Sequence, residues 1–258
     1  MEKSGQKKVQ YMKEPWIDTK LSQEEMTFLN HAISKENKEN WNHDLAGNIS
    51  KSELIEDKDN WFYETTLKKL TERLFYGGCN NYYEDYIEKE NPPPKFEMFS
   101  FWVNYMKQHE FNPIHNHTGL YSFVIFMKIP THWEEQHALP FSANSAMPLA
   151  SNFVFMWSEK GTDIISNYNL PLSPEDEGRM LFFPAWLVHQ VYPFYECEEE
   201  RITISGNIDF YDPNRPKKQE GSVSEYEEKK KMLEMMENAV DTTKKELKKM
   251  KKAGKMGG

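Results

Sequence analysis

The chain reads as a mainly β protein: a double-sheet jelly roll with helices on its outside and a helical tail. Three observations predict this. From Pro92 onward, short runs rich in aromatic and β-branched residues recur with turn signals between them. The region before Pro92 instead carries two amphipathic helical patterns. Beyond Pro216 the composition turns to a lysine-rich stretch without strand character. Many short strands following helices favour two packed sheets with helices on an outer face.

Taken in order, Ser22-Gln-Glu-Glu25 has the spacing of a capping box. Met26, Leu29 and Ile33 follow on one face, so a helix begins there. A second helix is predicted over 61–75, with Leu67, Leu70 and Leu74 as its apolar stripe and Gly77-Gly78 as its stop. Residues 1–95 are thus expected to form a helical flank packed on the core. The strands are predicted at 96–106, 120–129, 152–157, 163–168, 179–183, 190–194 and 201–210. Asn112-Pro113, Thr118-Gly119, Lys160-Gly161 and Glu177-Gly178 are among the turns between them. Residues 131–151 lack periodicity and are long for a loop, which suggests a lid over the barrel mouth. The core therefore spans 96–215, and 216–258 forms the tail. Over 222–252 the tail reads as one helix with Tyr226, Leu233, Val240 and Leu247 seven residues apart. Lys229, Met236, Thr243 and Met250 fill the second seam position, so the coiled-coil signal is weak. That helix is the expected surface for self-association or partner docking.

Composition narrows the function classes. The whole chain carries 32 basic and 41 acidic residues. The tail holds 12 Lys against 8 Asp or Glu, so the body before it is strongly acidic. An acidic body argues against wrapping nucleic acid, which needs clustered Lys and Arg. No apolar run approaches the roughly 20 residues of a membrane span, and the polar N-terminus predicts no signal peptide. Cys79 and Cys197 are far apart, which fits two free thiols in a reducing compartment and predicts a cytoplasmic protein.

The chemistry concentrates in two segments, Asn112-Pro-Ile-His-Asn-His117 and Phe183-Pro-Ala-Trp-Leu-Val-His189, with Arg201 downstream. His115 and His117 are two apart on an extended segment, so their side chains share a face. Imidazole suits divalent iron, and three facial ligands leave positions open for a cosubstrate and dioxygen. Arg201, Thr203 and Ser205 alternate along a strand, where a guanidinium and hydroxyls can hold a carboxylate. Lone histidines are more often packing residues, so the weight lies on the whole order of motifs. Phe126, Phe182 and Trp186 are candidate pocket walls, although aromatics at strand spacing are usually ordinary core.

That order resembles the Fe(II)/2-oxoglutarate-dependent oxygenase superfamily and its double-stranded β-helix fold. The residues carrying the resemblance are Trp102-Val-Asn-Tyr-Met106, the two histidine segments, Glu177-Gly-Arg-Met-Leu-Phe-Phe-Pro184 and Arg201-Ile-Thr-Ile-Ser-Gly-Asn207. The group most resembled is the prolyl-4-hydroxylase-like oxygenases of marine T4-like bacteriophages, with Leu45-Ala-Gly-Asn-Ile49 extending the likeness. A viral origin would place the chain in the host cytoplasm or on the virion. The resemblance implies Fe(II) on His115, His117 and His189. It also implies 2-oxoglutarate held by Arg201, with Thr203, Ser205 and Tyr105 assisting, and hydroxylation of a peptidyl residue or small molecule. His117 departs from the pattern, since the superfamily usually has Asp or Glu there. Glu110 or Asp163 would be the substitute carboxylate if His117 is not a ligand. Two alternatives stay open: a three-histidine dioxygenase of cupin type, and a non-catalytic phage structural or assembly protein.

Overall fold

The computed structural model describes residues 15–35, 39–42, 45–77, 94–158 and 163–215. Its first compact unit, Met1–Tyr211, holds two antiparallel sheets. The larger has six strands in the order β1-β8-β5-β10-β3-β2, and the smaller has four in the order β4-β9-β6-β7. The strands are β1 Ile17–Lys20, β2 Lys51–Leu54, β3 Phe96–Met106, β4 Asn112–His115 and β5 Tyr121–Lys128, then β6 Phe153–Ser158, β7 Ile165–Leu170, β8 Arg179–Pro184, β9 Val188–Val191 and β10 Arg201–Phe210. The jelly roll expected from the strand pattern is the observed fold.

The longest runs form the central strands. β10 is hydrogen-bonded on one side to β3 and on the other to β5. Alternation along these strands separates two cores. Phe101, Val103, Phe123, Ile125, Phe182, Ile204 and Ile208 face the helices, meeting Leu29, Phe62, Leu67, Leu70 and Phe75. Val124, Phe126, Leu181 and Phe183 face the small sheet and pack on Phe153, Phe155 and Leu170. Gly206 marks the tightest approach in the large sheet. A Cβ there would lie 2.6 Å from the Phe123 ring and 2.7 Å from the Ser100 carbonyl oxygen.

The helical flank is α1 (Gln23–Ser34), then a π-helical turn, Tyr63–Leu67, running into α2 (Lys68–Tyr76). Ser22 caps α1 as its sequence predicts. Its backbone N–H donates to Glu25 Oε2 at 2.7 Å, and its hydroxyl oxygen accepts from the Glu25 N–H. The flank is not purely helical, however. Its segments Ile17–Lys20 and Lys51–Leu54 become edge strands, pairing with β8 and β3. Nothing in Ile-Asp-Thr-Lys or Lys-Ser-Glu-Leu alternates strongly enough to announce a strand; the waiting sheet edges create them.

Two other expectations shift. β9 runs over Val188–Val191 instead of 190–194, because Pro193 has no N–H to continue a ladder. His189 consequently lies inside the strand and not at its entry. The 131–151 segment contains two short helices, α3 (Trp133–Ala138) and α4 (Pro140–Ala143). It is pinned to the loop between β9 and β10 by reciprocal bonds: Gln136 Nε2 donates to the Tyr195 carbonyl at 2.9 Å, and the Tyr195 N–H donates to Gln136 Oε1 at 2.8 Å. Cys197 is a free thiol, while Cys79 and the helix expected over 222–252 lie outside the described residues. Among the described residues no helix is long and apolar enough to cross a membrane.

Candidate metal centre

β4 and β9 are neighbours in the small sheet, and their register sets His115 directly opposite His189. His117 follows two residues beyond His115, where its own N–H donates to the Ala185 carbonyl at 2.9 Å. The turn that carries His189 into β9 therefore also holds the backbone of His117. All three imidazoles converge, with their ligand atoms within 4.8 Å of one another. His115 and His117 ring centres lie 5.0 Å apart, and those of His115 and His189 lie 4.2 Å apart.

Hydrogen bonds fix which nitrogens face inward. His115 Nδ1 is 2.7 Å from the Pro113 carbonyl oxygen, and His189 Nδ1 is 2.9 Å from that of Leu187. A carbonyl only accepts, so each Nδ1 carries the proton and each Nε2 presents a lone pair. His117 Nε2 sits 3.1 Å from His189 Nε2. Metal–imidazole bonds of about 2.0–2.1 Å put adjacent ligand atoms roughly 3 Å apart when they meet at a right angle. The donor set thus fits a divalent ion that prefers imidazole, iron included. His115, His117 and His189 would hold it.

Burial keeps the three rings neutral. Desolvation lowers the His115 pKa, against a smaller raising effect of the Pro113 carbonyl. Desolvation and then the neighbouring His115 hold His117 down at about 3. His189, packed against Phe153, Phe155 and Phe183, is pushed well below the ordinary histidine value, again chiefly by desolvation. A depressed histidine pKa means the unfolded chain binds protons that the folded chain refuses. Stability is then full above about pH 6.5 and falls as pH drops toward the folded values. For His117 alone the loss from pH 6.5 to 5 is about 2 kcal/mol, at 1.36 kcal/mol per unit. Urea unfolding of the metal-free protein at pH 7 and 5 should show this loss, and His117→Gln should remove about that share of it.

Arg201 enters the barrel from the other sheet. It is wholly buried, and burial pushes its pKa down to about 9. Its Nη2 donates to the Ser151 carbonyl at 3.2 Å and to the Ser151 hydroxyl at 2.5 Å, while Nη1 reaches the Tyr192 carbonyl at 3.4 Å. The guanidinium carbon lies 4.9 Å from the Phe194 ring centre. Among the described residues its Nε–H is buried with no partner, and no carboxylate pairs with the charge. A buried cation satisfied only by neutral acceptors is a strong attractor for an anion. Ser151 holds its bonds from a left-handed backbone at φ 71°, where a non-glycine residue is strained.

The other residues singled out by sequence divide. Thr203 and Ser205 lie on the inward face of β10 with Arg201, opposite Asn104 and Trp102 of β3. Tyr105 is turned to the opposite face, where it packs against the helix-side core with its hydroxyl 3.5 Å from the Ile33 carbonyl. It is not brought to the histidines. Glu110 caps a turn, accepting from the Ser50 and Lys107 N–H groups, and Asp163 is exposed. Among the described residues neither carboxylate joins the cluster, which is all imidazole. Phe126 lines the inner core, Phe182 belongs to the helix-side core, and Trp186 is 42% exposed on the turn before β9. Sequence reasoning missed Ser151, which a polar lid segment does not distinguish. It also gave no role to Trp102, whose ring lies 6.2 Å from that of His117.

Comparison with known proteins finds similarities over the same part of the chain. Residues 100–207 match the family model described as "Putative 2OG-Fe(II) oxygenase". No curated protein matches the chain. Among solved structures it is similar to a prolyl-4-hydroxylase from Pseudomonas putida, at 12% identity and a TM-score of 0.44, covering 77% of this chain and 93% of that one. It is also similar to a viral collagen prolyl hydroxylase from Paramecium Bursaria Chlorella virus-1, at 14% identity and a TM-score of 0.43, covering 76% and 96%. A third is the alpha ketoglutarate dependent epimerase SnoN from nogalamycin biosynthesis, at 12% identity and a TM-score of 0.49, covering 81% and 84%. The matched segment runs from β3 to β10 and contains all three histidines. Residues 100–207 thus match a 2OG-Fe(II) oxygenase family model, and the chain is a dioxygenase-type enzyme whose cofactors are Fe(II) and 2-oxoglutarate.

Proposed function

We propose that this enzyme hydroxylates a peptidyl residue or a small molecule, with Arg201 gripping the distal carboxylate of 2-oxoglutarate. The observation that carries the reading is the buried Arg201 charge, unpaired by any described carboxylate and inside the barrel that holds the histidines. Fe(II) with 2-oxoglutarate supplies, when bound, the oxidative decarboxylation that yields succinate and carbon dioxide and oxidises the substrate. The chain's own residues do the rest. His115, His117 and His189 present neutral nitrogens, and the Pro113 and Leu187 carbonyls lock two of the rings in place. Arg201 offers a planar fork that suits a carboxylate, with Thr203 and Ser205 on the same strand face. The Ser151 hydroxyl occupies that fork meanwhile and gives way to the anion. Phe153, Phe155 and Phe183 exclude water behind His189. The order of the motifs favours the branch carried by T4-like marine bacteriophages.

A second reading, a three-histidine dioxygenase without a cosubstrate, is favoured by one observation: the third ligand is imidazole where a carboxylate is usual. The two readings separate in one assay. The chain is loaded with Fe(II) without oxygen, then given 2-oxoglutarate and dioxygen with no substrate. Slow succinate formation matching 2-oxoglutarate loss is expected. Tight iron binding with no 2-oxoglutarate consumed would favour the second reading instead.

A further inference from the structure

Three polar groups on the inward face of the large sheet are buried with no partner among the described residues: the Trp102 indole N–H, the Ser100 hydroxyl and the Asn207 amide oxygen. Trp102 is 3% exposed and Asn207 is 7% exposed. Their neighbours along each strand fix their direction. Phe101 and Val103 point to the helix-side core, as do Ile204 and Ile208, so the residues between point inward. The register then assembles them. Ser100 lies opposite Asn207, and Trp102 lies opposite Ser205, one step along. Cβ atoms in such directly opposed pairs are about 4.5–5.5 Å apart. The Trp102 ring also lies 6.2 Å from that of His117, so the group borders the metal centre.

Buried donors and acceptors left unmade are costly, and they persist where a ligand completes them. The cosubstrate cannot be that ligand if Arg201 holds it. Asn207 is six residues along β10 from Arg201, on the order of 20 Å at strand rise, beyond the reach of a five-carbon dicarboxylate. The chemistry of the three groups names the ligand. Trp102 only donates, the Asn207 oxygen only accepts, and Ser100 does either. The inward positions of β3 from 100 to 106 and of β10 from 203 to 207 carry no charge.

We infer that Trp102, Asn207 and Ser100 form the substrate-side pocket of the metal centre and select a neutral amide, its carbonyl accepting from Trp102 and its N–H donating to Asn207. The inference rests on the metal reading for its place beside the reacting centre. They are specificity-determining residues, distinct from the anchor at Arg201.

The test uses the full chain loaded with Mn(II), and two neutral probes of one shape: N-methylacetamide and methyl acetate, whose ester oxygen stands in place of the amide N–H. Bound Mn(II) speeds relaxation of the probe's acetyl protons in nuclear magnetic resonance. The amide should be relaxed and the ester, which has no N–H for Asn207 to accept, much less. Trp102→Phe and Asn207→Leu should each weaken amide binding about threefold to tenfold, the range of one neutral hydrogen bond. The metal-free melting temperature of each variant should stay well above the assay temperature, so that lost binding is not lost folding. Equal binding of the ester, or full amide affinity in both variants, overturns the proposal. If Mn(II) loads but relaxes neither probe, the amide pocket fails while the metal reading stands. If Mn(II) does not load, yet saturation transfer detects amide binding that depends on Trp102 and Asn207, the pocket stands and the metal reading fails.

Discussion

His189→Ala should abolish divalent-metal loading and, with it, all 2-oxoglutarate turnover. Losing only an outer partner of a metal ligand typically costs 10–100-fold in affinity, and losing the ligand itself should cost more. His189 is also the hub of the cluster. Its register pairs it with His115, and its Nε2 lies 3.1 Å from that of His117. Alanine leaves a cavity among Phe153, Phe155 and Phe183, so some stability should go as well. His189→Gln fills most of that space and keeps a polar end, yet should load iron no better. Equilibrium dialysis against Fe(II) or Mn(II) reads both variants. Unchanged loading in His189→Gln would put the metal elsewhere.

Arg201→Met should remove 2-oxoglutarate binding while leaving the metal in place. Truncating one partner of a buried, hydrogen-bonded charge pair costs about 2–5 kcal/mol, or roughly 30-fold to 5,000-fold in Kd. Arg201→Lys should recover little, because an ammonium cannot supply the planar fork. Calorimetric titration of 2-oxoglutarate into the Mn(II)-loaded protein measures this directly. A companion readout is ligand-induced stability. At a ligand concentration of 100 Kd the wild type should gain about 2.7 kcal/mol, and Arg201→Met essentially nothing. Equal affinities would move the anchor away from Arg201.

Much of this architecture is legible in the sequence, for identifiable reasons. β3 and β10 were readable to the residue because long aromatic and β-branched runs are bounded by proline and by an acidic turn. The start of α1 was readable because Ser22 and Glu25 satisfy each other's backbone groups locally. What escaped depends on the partner. β1 and β2 exist because β8 and β3 offer open edges, and no four-residue sequence announces that. The same holds within the site. The three histidines could be picked from their spacing and motif order, but the pairing of His115 with His189 is a matter of register. Tyr105 illustrates the converse: it lies one residue from Asn104 and Met106, and that single step turns it to the helix side. Trp102 and Asn207 were hidden for a different reason, since a tryptophan on a central strand reads as core until its N–H is found without a partner.

The central claim is that three imidazoles, His117 among them, hold the metal. Crystals of the Mn(II)-loaded protein, with diffraction collected at the manganese edge, test it most directly. The expected result is one anomalous peak within bonding distance of nitrogens from His115, His117 and His189 together, with the remaining positions open toward Arg201 and Trp102. A peak bonded to His115 and His189 but completed by a carboxylate, with His117 turned away, would contradict it.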